Sequence, residues 1–215
     1  MSLVIAIKDK GRIVLGSDKQ ISTGSNKDHT STKIWEVQEL PGAIMGGVGT
    51  VRAAQIIQYS NIIDKNYLGK TLDTEFVVTS LVPTIAGLLA SNGINCEDEN
   101  TRNKMMPNAF IFAYKDRAWM IWNDLSVSEI EDCLSIGSGS DVARGALFAT
   151  HAKSAFERIV TSIAAAAENT LFVDDGIDIL TTEGREGDNE ELAKFMDNEI
   201  SFTLEPDIKK KKNKK

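Results

Sequence analysis

Residues 2–24 read SLVIAIKDKGRIVLGSDKQISTG: a serine, two apolar runs joined by a charged turn, and then an aspartate. The runs, residues 3–7 and 12–16, are rich in β-branched and aliphatic side chains. Gly11, at the end of the turn, supplies the positive φ angle that a tight hairpin needs. The stretch therefore predicts a β-hairpin that holds the N-terminus in a sheet.

Ser2 becomes the first residue once Met1 is removed. A free α-amine titrates at about 7.7 to 8.0, close enough to neutrality to accept a proton from a neighbouring hydroxyl. We expect no propeptide beyond Met1, which a methionine aminopeptidase removes because the second residue is small. Ser2 can then act as nucleophile and base at once.

The rest of the chain predicts antiparallel strands followed by pairs of helices. Further strands are predicted over residues 34–37, 43–45, 109–114, 118–121, 134–136 and 177–182. Helical spacing is found from Thr50, which can cap the helix, to about residue 62, and over residues 74–90. It returns from Ser140, a good cap, and again from Ser154. Because hairpin-sized gaps separate most neighbouring strands, we predict an α+β fold with two antiparallel sheets sandwiched between helical layers.

Composition describes one large domain with an acidic surface. The chain has 215 residues, of which 42% are hydrophobic and 26% charged, and a net charge of -7. This charge makes nucleic acid a poor partner, and no apolar stretch has the length of a signal peptide core or of about 18 residues that a membrane span needs. Cys96 and Cys133 form neither a disulfide framework nor a CxxC pair for zinc, so we expect a cytoplasmic protein.

Other catalytic motifs are missing or incomplete. Residues 46–52 follow a strand and precede a helix, but Arg52 stands where the dinucleotide-binding pattern needs a small residue. The chain has no GxSxG elbow and no HExxH pair, and neither His29 nor His151 lies in a supporting motif. The sequence thus predicts no cofactor and no metal, and leaves the N-terminus as the candidate site.

Four runs together resemble the β-type subunits of proteasomes, and most of all the bacterial HslV-like branch. They are SLVIAIKDKGRIVLGSDKQISTG at 2–24, KIW at 33–35, IMGGVG at 44–49 and SIGSGSDVARGAL at 135–147. The resemblance covers residues 2–182 and implies an N-terminal nucleophile hydrolase domain: a four-layer αββα sandwich. It further implies a homo-oligomeric ring that degrades proteins or peptides, and an ATP-dependent unfoldase as a possible partner.

The resemblance also assigns roles to individual residues. Ser2 falls on the family's terminal threonine, Asp18 on its acidic partner, Lys33 on its lysine, Gly46 on the oxyanion glycine and Ser138 on the serine near the terminal amine. In these roles the Lys33 ammonium favours the alkoxide and the neutral amine, while Asp18 keeps Lys33 charged.

The same resemblance places the substrate. A peptide would lie as an added strand between the Ser22 segment and the Gly46 segment, bound mainly through main-chain groups. Ile44 would form the floor of the first side-chain pocket and favour hydrophobic residues before the cleaved bond.

Two departures from the family pattern keep alternatives open. Serine replaces threonine and loses the γ-methyl that restricts χ1. Where the family supports its terminal amine with an aspartate and a serine, this chain has Thr170 and Val173. A noncatalytic ring subunit and an N-terminal nucleophile amidase acting on a small amide therefore remain alternatives to the peptidase.

Residues 183–215 are predicted to be a polar extension beyond the domain. They end in KKKKNKK, which supplies six lysines, and we expect this tail to be disordered.

Overall fold

The N-terminal hairpin lies at the centre of a four-stranded antiparallel sheet. In the computed structural model, which describes residues 2–23, 26–28, 32–68, 70–96 and 105–182, β1 (Leu3–Asp9) pairs with β2 (Arg12–Asp18). β10 (Cys133–Gly137) flanks β1 and β11 (Ile177–Thr181) flanks β2, giving the order β10-β1-β2-β11. The turn has a positive φ angle at Gly11 (88°), as the sequence predicted, and also at Lys10 (49°), which the sequence did not predict. The predicted extension, residues 183–215, lies outside the described residues.

A second antiparallel sheet stacks on the first. Its order is β5-β6-β7-β8-β9, and its strands are β5 (Ile34–Glu36), β6 (Ala43–Val48), β7 (Ala109–Tyr114), β8 (Arg117–Ile121) and β9 (Val127–Glu129). Two short strands, β3 (Ile21–Thr23) and β4 (Asn26–Asp28), form a separate ribbon. The sequence did not predict β3, β4 or β9, because runs of three residues carry too little alternation to recognise.

Helices cover the outer faces of both sheets. They are α1 (Val51–Gln58), α2 (Thr74–Ser91, with a π-helical turn over Val77–Leu81), α3 (Ser140–Ala149) and α4 (Ala155–Asn169), with one 3-10 turn at Lys65–Tyr67. The α4 helix begins with a full capping box between Ser154 and Glu157. Thr50 does not cap α1 with its side chain; its hydroxyl donates to Asn108 Oδ1 at 2.9 Å, which ties the helix to the strand region near β7.

Three apolar layers hold the sandwich together. Leu3, Ile5 and Ile7 pack against α3 and α4, whereas the alternate residues Val4 and Ala6 pack against the second sheet. A third cluster fills the space between the second sheet and α1 and α2. Since residues 3–7 of β1 are buried on both faces, these five residues have to be apolar, which explains the unbroken run near the start of the sequence.

Of the described helices, α2 alone is long and apolar enough to cross a membrane, judged by length and composition. Its inner residues Phe76, Leu81 and Ile85 are buried in the core against the second sheet. This packing is that of a core helix.

Candidate active site

A cavity of about 280 Å³ lies where the start of β1, the end of β6 and helix α1 meet. The lining combines the N-terminal segment, the β3 edge, the residues before β5 and one face of α1. These residues are Ser2, Gln20, Ile21, Ser22, Thr32, Lys33, Gly47, Gly49, Val51, Ala54, Gln55, Gln58 and Tyr59. Ser2 and Lys33, far apart in sequence, therefore face the same space.

Hydrogen bonds on both edges of the Ser2–Leu3 peptide group hold Ser2 at the cavity. Its carbonyl accepts the Ser138 N–H at 2.9 Å and the Ser138 hydroxyl at 3.4 Å. On the other side, the Leu3 N–H donates to Asp18 Oδ1 at 2.7 Å. A Cβ at Gly137 would stand 2.0 Å from the Ser2 carbonyl oxygen, so only glycine lets β10 approach this closely. Ser138 thus holds the Ser2 backbone.

Lys33 and Asp18 form a buried ion pair beside Ser2. The Lys33 Nζ lies 2.6 Å from Asp18 Oδ1, and the two side chains are 6% and 0% exposed. Asp18 also accepts the Gln20 N–H at 3.2 Å on its other oxygen. One carboxylate oxygen therefore contacts both the lysine and the backbone next to Ser2.

Burial changes the proton affinity of both groups. Desolvation lowers the pKa of Lys33 below its ordinary value, opposed by the charges of Asp18, Asp174 and Asp178. Desolvation likewise raises the pKa of Asp18, opposed by Lys33 and by the N–H groups of Leu3 and Gln20. The lysine beside Ser2 consequently loses its proton more easily than a lysine in water.

Gly46 does not reach the cavity, and its neighbour Gly47 does. The Gly47 N–H points toward β5, where it donates to the Lys33 carbonyl at 2.9 Å. Because successive N–H groups of a strand point to opposite edges, the Gly46 N–H points toward β7, where Gly46 lies opposite Ile111. A Cβ at Gly46 would lie 2.8 Å from Val4, between the two sheets. The structure therefore places Gly47 at the cavity, and not the predicted Gly46.

Ile44 is also placed away from the cavity. It is 1% exposed and belongs to the core between the sheets, on the same face of β6 as Gly46. The aliphatic part of the lining comes instead from Ile21 of β3 and from Val51 and Ala54 of α1. Ser22 does line the cavity, and its Oγ accepts a hydrogen bond from Gln20 Nε2 at 2.9 Å.

Comparison of sequences finds no match for the chain, whereas comparison of structures does. No protein-family model and no curated protein sequence matches the chain. Among solved structures, BPH of Thiobacillus denitrificans in complex with epoxomicin has a TM-score of 0.65 at 18% identity, covering 83% of this chain and 97% of that one. HslV of Trypanosoma brucei gives 0.60 at 17% identity, with 83% and 98% of the two chains covered.

The chain has an HslV-like fold of the proteasome β type. A further BPH structure, at TM-score 0.66 and 18% identity over 83% of this chain and 96% of that one, agrees. The predicted resemblance and the predicted α+β sandwich are thereby confirmed.

Two positions in this HslV-like chain contribute no polar contact to the site. Val173 is 2% exposed and packs in the core beneath α3 and α4. The Thr170 hydroxyl is buried without a hydrogen-bond partner. Neither supports the backbone of Ser2.

Sequence reasoning missed the contribution of helix α1 and of Gln20. The α1 residues that line the cavity have the i, i+3, i+4, i+7 spacing of a single helix face: Val51, Ala54, Gln55 and Gln58. This spacing could have predicted the face, but it was used only to predict the helix. Gln20 carried no such signal, because its role depends on where β3 turns away from β2.

The described residues include no cluster of three or more His, Cys, Asp or Glu side chains that could hold a metal ion.

Proposed function

We propose that the protein is a peptidase of the proteasome and HslV type, with Ser2 as the nucleophile after removal of Met1. The supporting observation is the buried Lys33–Asp18 ion pair of 2.6 Å at the cavity that Ser2 lines. A buried pair is costly to desolvate, so its position beside a small hydroxyl residue points to chemistry more than to stability.

The proposed reaction begins with proton transfer from the Ser2 hydroxyl to its own α-amine. The Ser2 oxygen then bonds to the peptide carbonyl carbon, and the amine returns the proton to the leaving nitrogen as the C–N bond breaks. Water hydrolyses the resulting ester by the same proton path. The Lys33 ammonium stabilises the oxygen that loses its proton, and Asp18 holds that ammonium in place.

The tetrahedral oxygen needs N–H donors, worth roughly 3 to 4 kcal/mol for one such group. We assign them to the Gly47–Gly49 segment that lines the cavity, in place of Gly46. The Gly47 N–H bonds to the Lys33 carbonyl and would exchange that bond for the substrate oxygen.

The substrate we propose is a peptide in extended form, bound along the Ser22 edge. From the resemblance we further propose a homo-oligomeric ring in the cytoplasm, with an ATP-dependent unfoldase as partner. Light scattering tests the ring, since a lone 23.5 kDa species would contradict it.

A noncatalytic ring subunit is the second candidate. Val173, which is buried in the core and has no hydrogen-bonding side chain, favours it. An N-terminal nucleophile amidase that acts on a small amide shares the chemistry of the first candidate and differs in substrate size.

Covalent labelling separates these candidates. We expect intact-mass spectrometry to show protein without Met1 and, after treatment with epoxomicin, a single adduct that maps to Ser2. The reason is that an epoxyketone needs both a nucleophile and the free amine of one residue. If protein without Met1 forms no adduct and cleaves no fluorogenic peptide, the result would support the noncatalytic ring subunit. Labelled protein that cleaves only small amides would favour the amidase.

In this mechanism the pH profile of kcat/KM depends on two groups, the Ser2 amine and the Lys33 ammonium. We expect the rate to rise as the Ser2 amine loses its proton, at about pH 7.7 to 8.0 or below. The rate then falls as Lys33 deprotonates, at a pH below that of an ordinary lysine, because burial lowers the pKa of Lys33.

Loss of fold does not explain such a fall. The unfolded chain binds the lysine proton more tightly than the folded one, so between the two pKa values this titration makes folding more favourable as the pH rises. Circular dichroism at each pH provides the control. A rate that stays constant beyond about pH 10.4 in folded protein would contradict the role of Lys33.

A further inference from the structure

Lys19 and Gln20 are the covalent link between Asp18 and the Ser22 edge. They lie after β2 (Arg12–Asp18) and before β3 (Ile21–Thr23), outside both strands. Their position decides where the Asp18 carboxylate and the substrate edge stand relative to each other. Because they belong to neither strand, side-chain contacts have to hold them.

Those contacts come from residues 171–178, a segment that follows α4 and includes the start of β11. The Lys19 N–H donates to Asp174 Oδ1 at 2.9 Å, and the Lys19 ammonium lies 2.9 Å from Asp178 Oδ1. The Gln20 carboxamide donates to the Leu171 carbonyl at 3.1 Å. It also donates to the hydroxyl of Ser22, just beyond the link, at 2.9 Å. Three contacts from one segment thus hold two consecutive residues.

The Asp174 contact is better protected from water than the Lys19–Asp178 ion pair. Asp174 is 9% exposed, whereas the side chains of Lys19 and Asp178 are 39% and 24% exposed, so water weakens their ion pair more. A charge-assisted bond from a backbone N–H to a carboxylate is also stronger than a bond between neutral groups. The Asp174 charge, in addition, favours the protonated form of Lys33.

We propose that Asp174 is a positioning residue, which holds the Lys19–Gln20 link and through it the geometry of Asp18 and Ser22. The proposal rests on the proposed peptidase for its effect on rate, and on the Lys19 contact for its structural part. Asp174 thereby gives the α4–β11 segment a role that Thr170 and Val173 do not have in this chain.

The test compares Asp174→Ala, Asp174→Asn and Asp175→Ala. Asparagine keeps an oxygen that can accept the Lys19 N–H, whereas alanine does not. Asp175 is the neighbouring aspartate, exposed to solvent, and is the control for charge and for loop sequence. Two readouts are taken on the full-length protein: amide hydrogen exchange at Lys19, and kcat/KM on a fluorogenic peptide.

We expect Asp174→Ala to speed exchange at Lys19 on the order of tenfold or more and to lower kcat/KM on the order of 10²-fold. Asp174→Asn should restore both, while its alkaline rate limb moves to lower pH because the charge that favours protonated Lys33 is gone. Asp175→Ala should match the wild type. If the role of Asp174 were purely structural, Asp174→Ala would change the unfolding midpoint, and Asp174→Asn would not restore the exchange and the rate in this way.

Rapid Lys19 exchange in the wild type, or equal behaviour of Asp174→Ala and Asp175→Ala, would overturn the proposal. If the wild type neither cleaves peptide nor takes an epoxomicin label, the peptidase is refuted. The exchange comparison then decides by itself whether Asp174 holds the link.

Discussion

Lys33→Ala is expected to lower kcat/KM on a fluorogenic peptide by at least about 10³-fold. The substitution removes the cation that stabilises the Ser2 oxygen as its proton leaves. It also leaves the Asp18 carboxylate buried and unpaired, which should cost about 3 to 5 kcal/mol of folding free energy. Rate, unfolding midpoint and assembly by light scattering are measured on the same preparation.

A double variant separates the loss of chemistry from the loss of fold. In Lys33→Ala with Asp18→Asn no buried charge remains, and the asparagine oxygen can still accept the Leu3 N–H. We expect this variant to recover much of the stability and none of the rate. Lys153→Ala is the matched control, because Lys153 is 54% exposed and pairs with Glu157 at 3.7 Å on the surface. Wild-type rates in Lys33→Ala, or a recovered rate in the double variant, would refute the role of Lys33.

Ser2→Ala should abolish both turnover and epoxomicin labelling, a loss of at least about 10⁴-fold. Alanine keeps the backbone bonds to Ser138 and the free amine but has no oxygen to attack the carbonyl. Ser2→Thr should retain turnover or increase it, because the γ-methyl restricts χ1 to fewer rotamers. Intact mass has to show removal of Met1 in each variant, so that the amine is free in all three proteins.

The pair of variants also distinguishes the two candidate functions. Activity in Ser2→Thr but not in the wild type would support a ring subunit that lost catalysis by a single substitution. Labelling or cleavage that persists in Ser2→Ala would show that another residue is the nucleophile, and would end the N-terminal mechanism.

Local sequence patterns predicted most of the secondary structure. The apolar runs of β1 and β2, the turn at Gly11 and the Ser154 cap of α4 each depend on neighbours within a few residues. The strands that escaped prediction are short. The strand β9, for example, has only three residues, Val127–Glu129, which pair with β8 but are too few to show a recognisable alternation.

The candidate site also combines features that the sequence indicated with features that only the structure revealed. The resemblance to proteasome β-type subunits proposed Ser2, Asp18, Lys33 and Ser138, and the structure describes the contacts of these residues. The choice between Gly46 and Gly47 depended on which edge of β6 faces β5. Since strand residues alternate between two edges, an error of one residue reverses the direction of the N–H group.

By itself, the sequence determined a sheet-forming N-terminus with a serine at position 2, and its resemblance to proteasome β-type subunits pointed to Asp18 and Lys33 as the partners of that serine. The strands depend on residue type and on local spacing. Only the tertiary structure decided which glycine meets the cavity, that α1 forms one of its walls, and that Asp174 holds the Lys19–Gln20 link. Those outcomes depend on strand register and on packing between separate segments, 155 residues apart in the case of Lys19 and Asp174, about which local spacing contains no information.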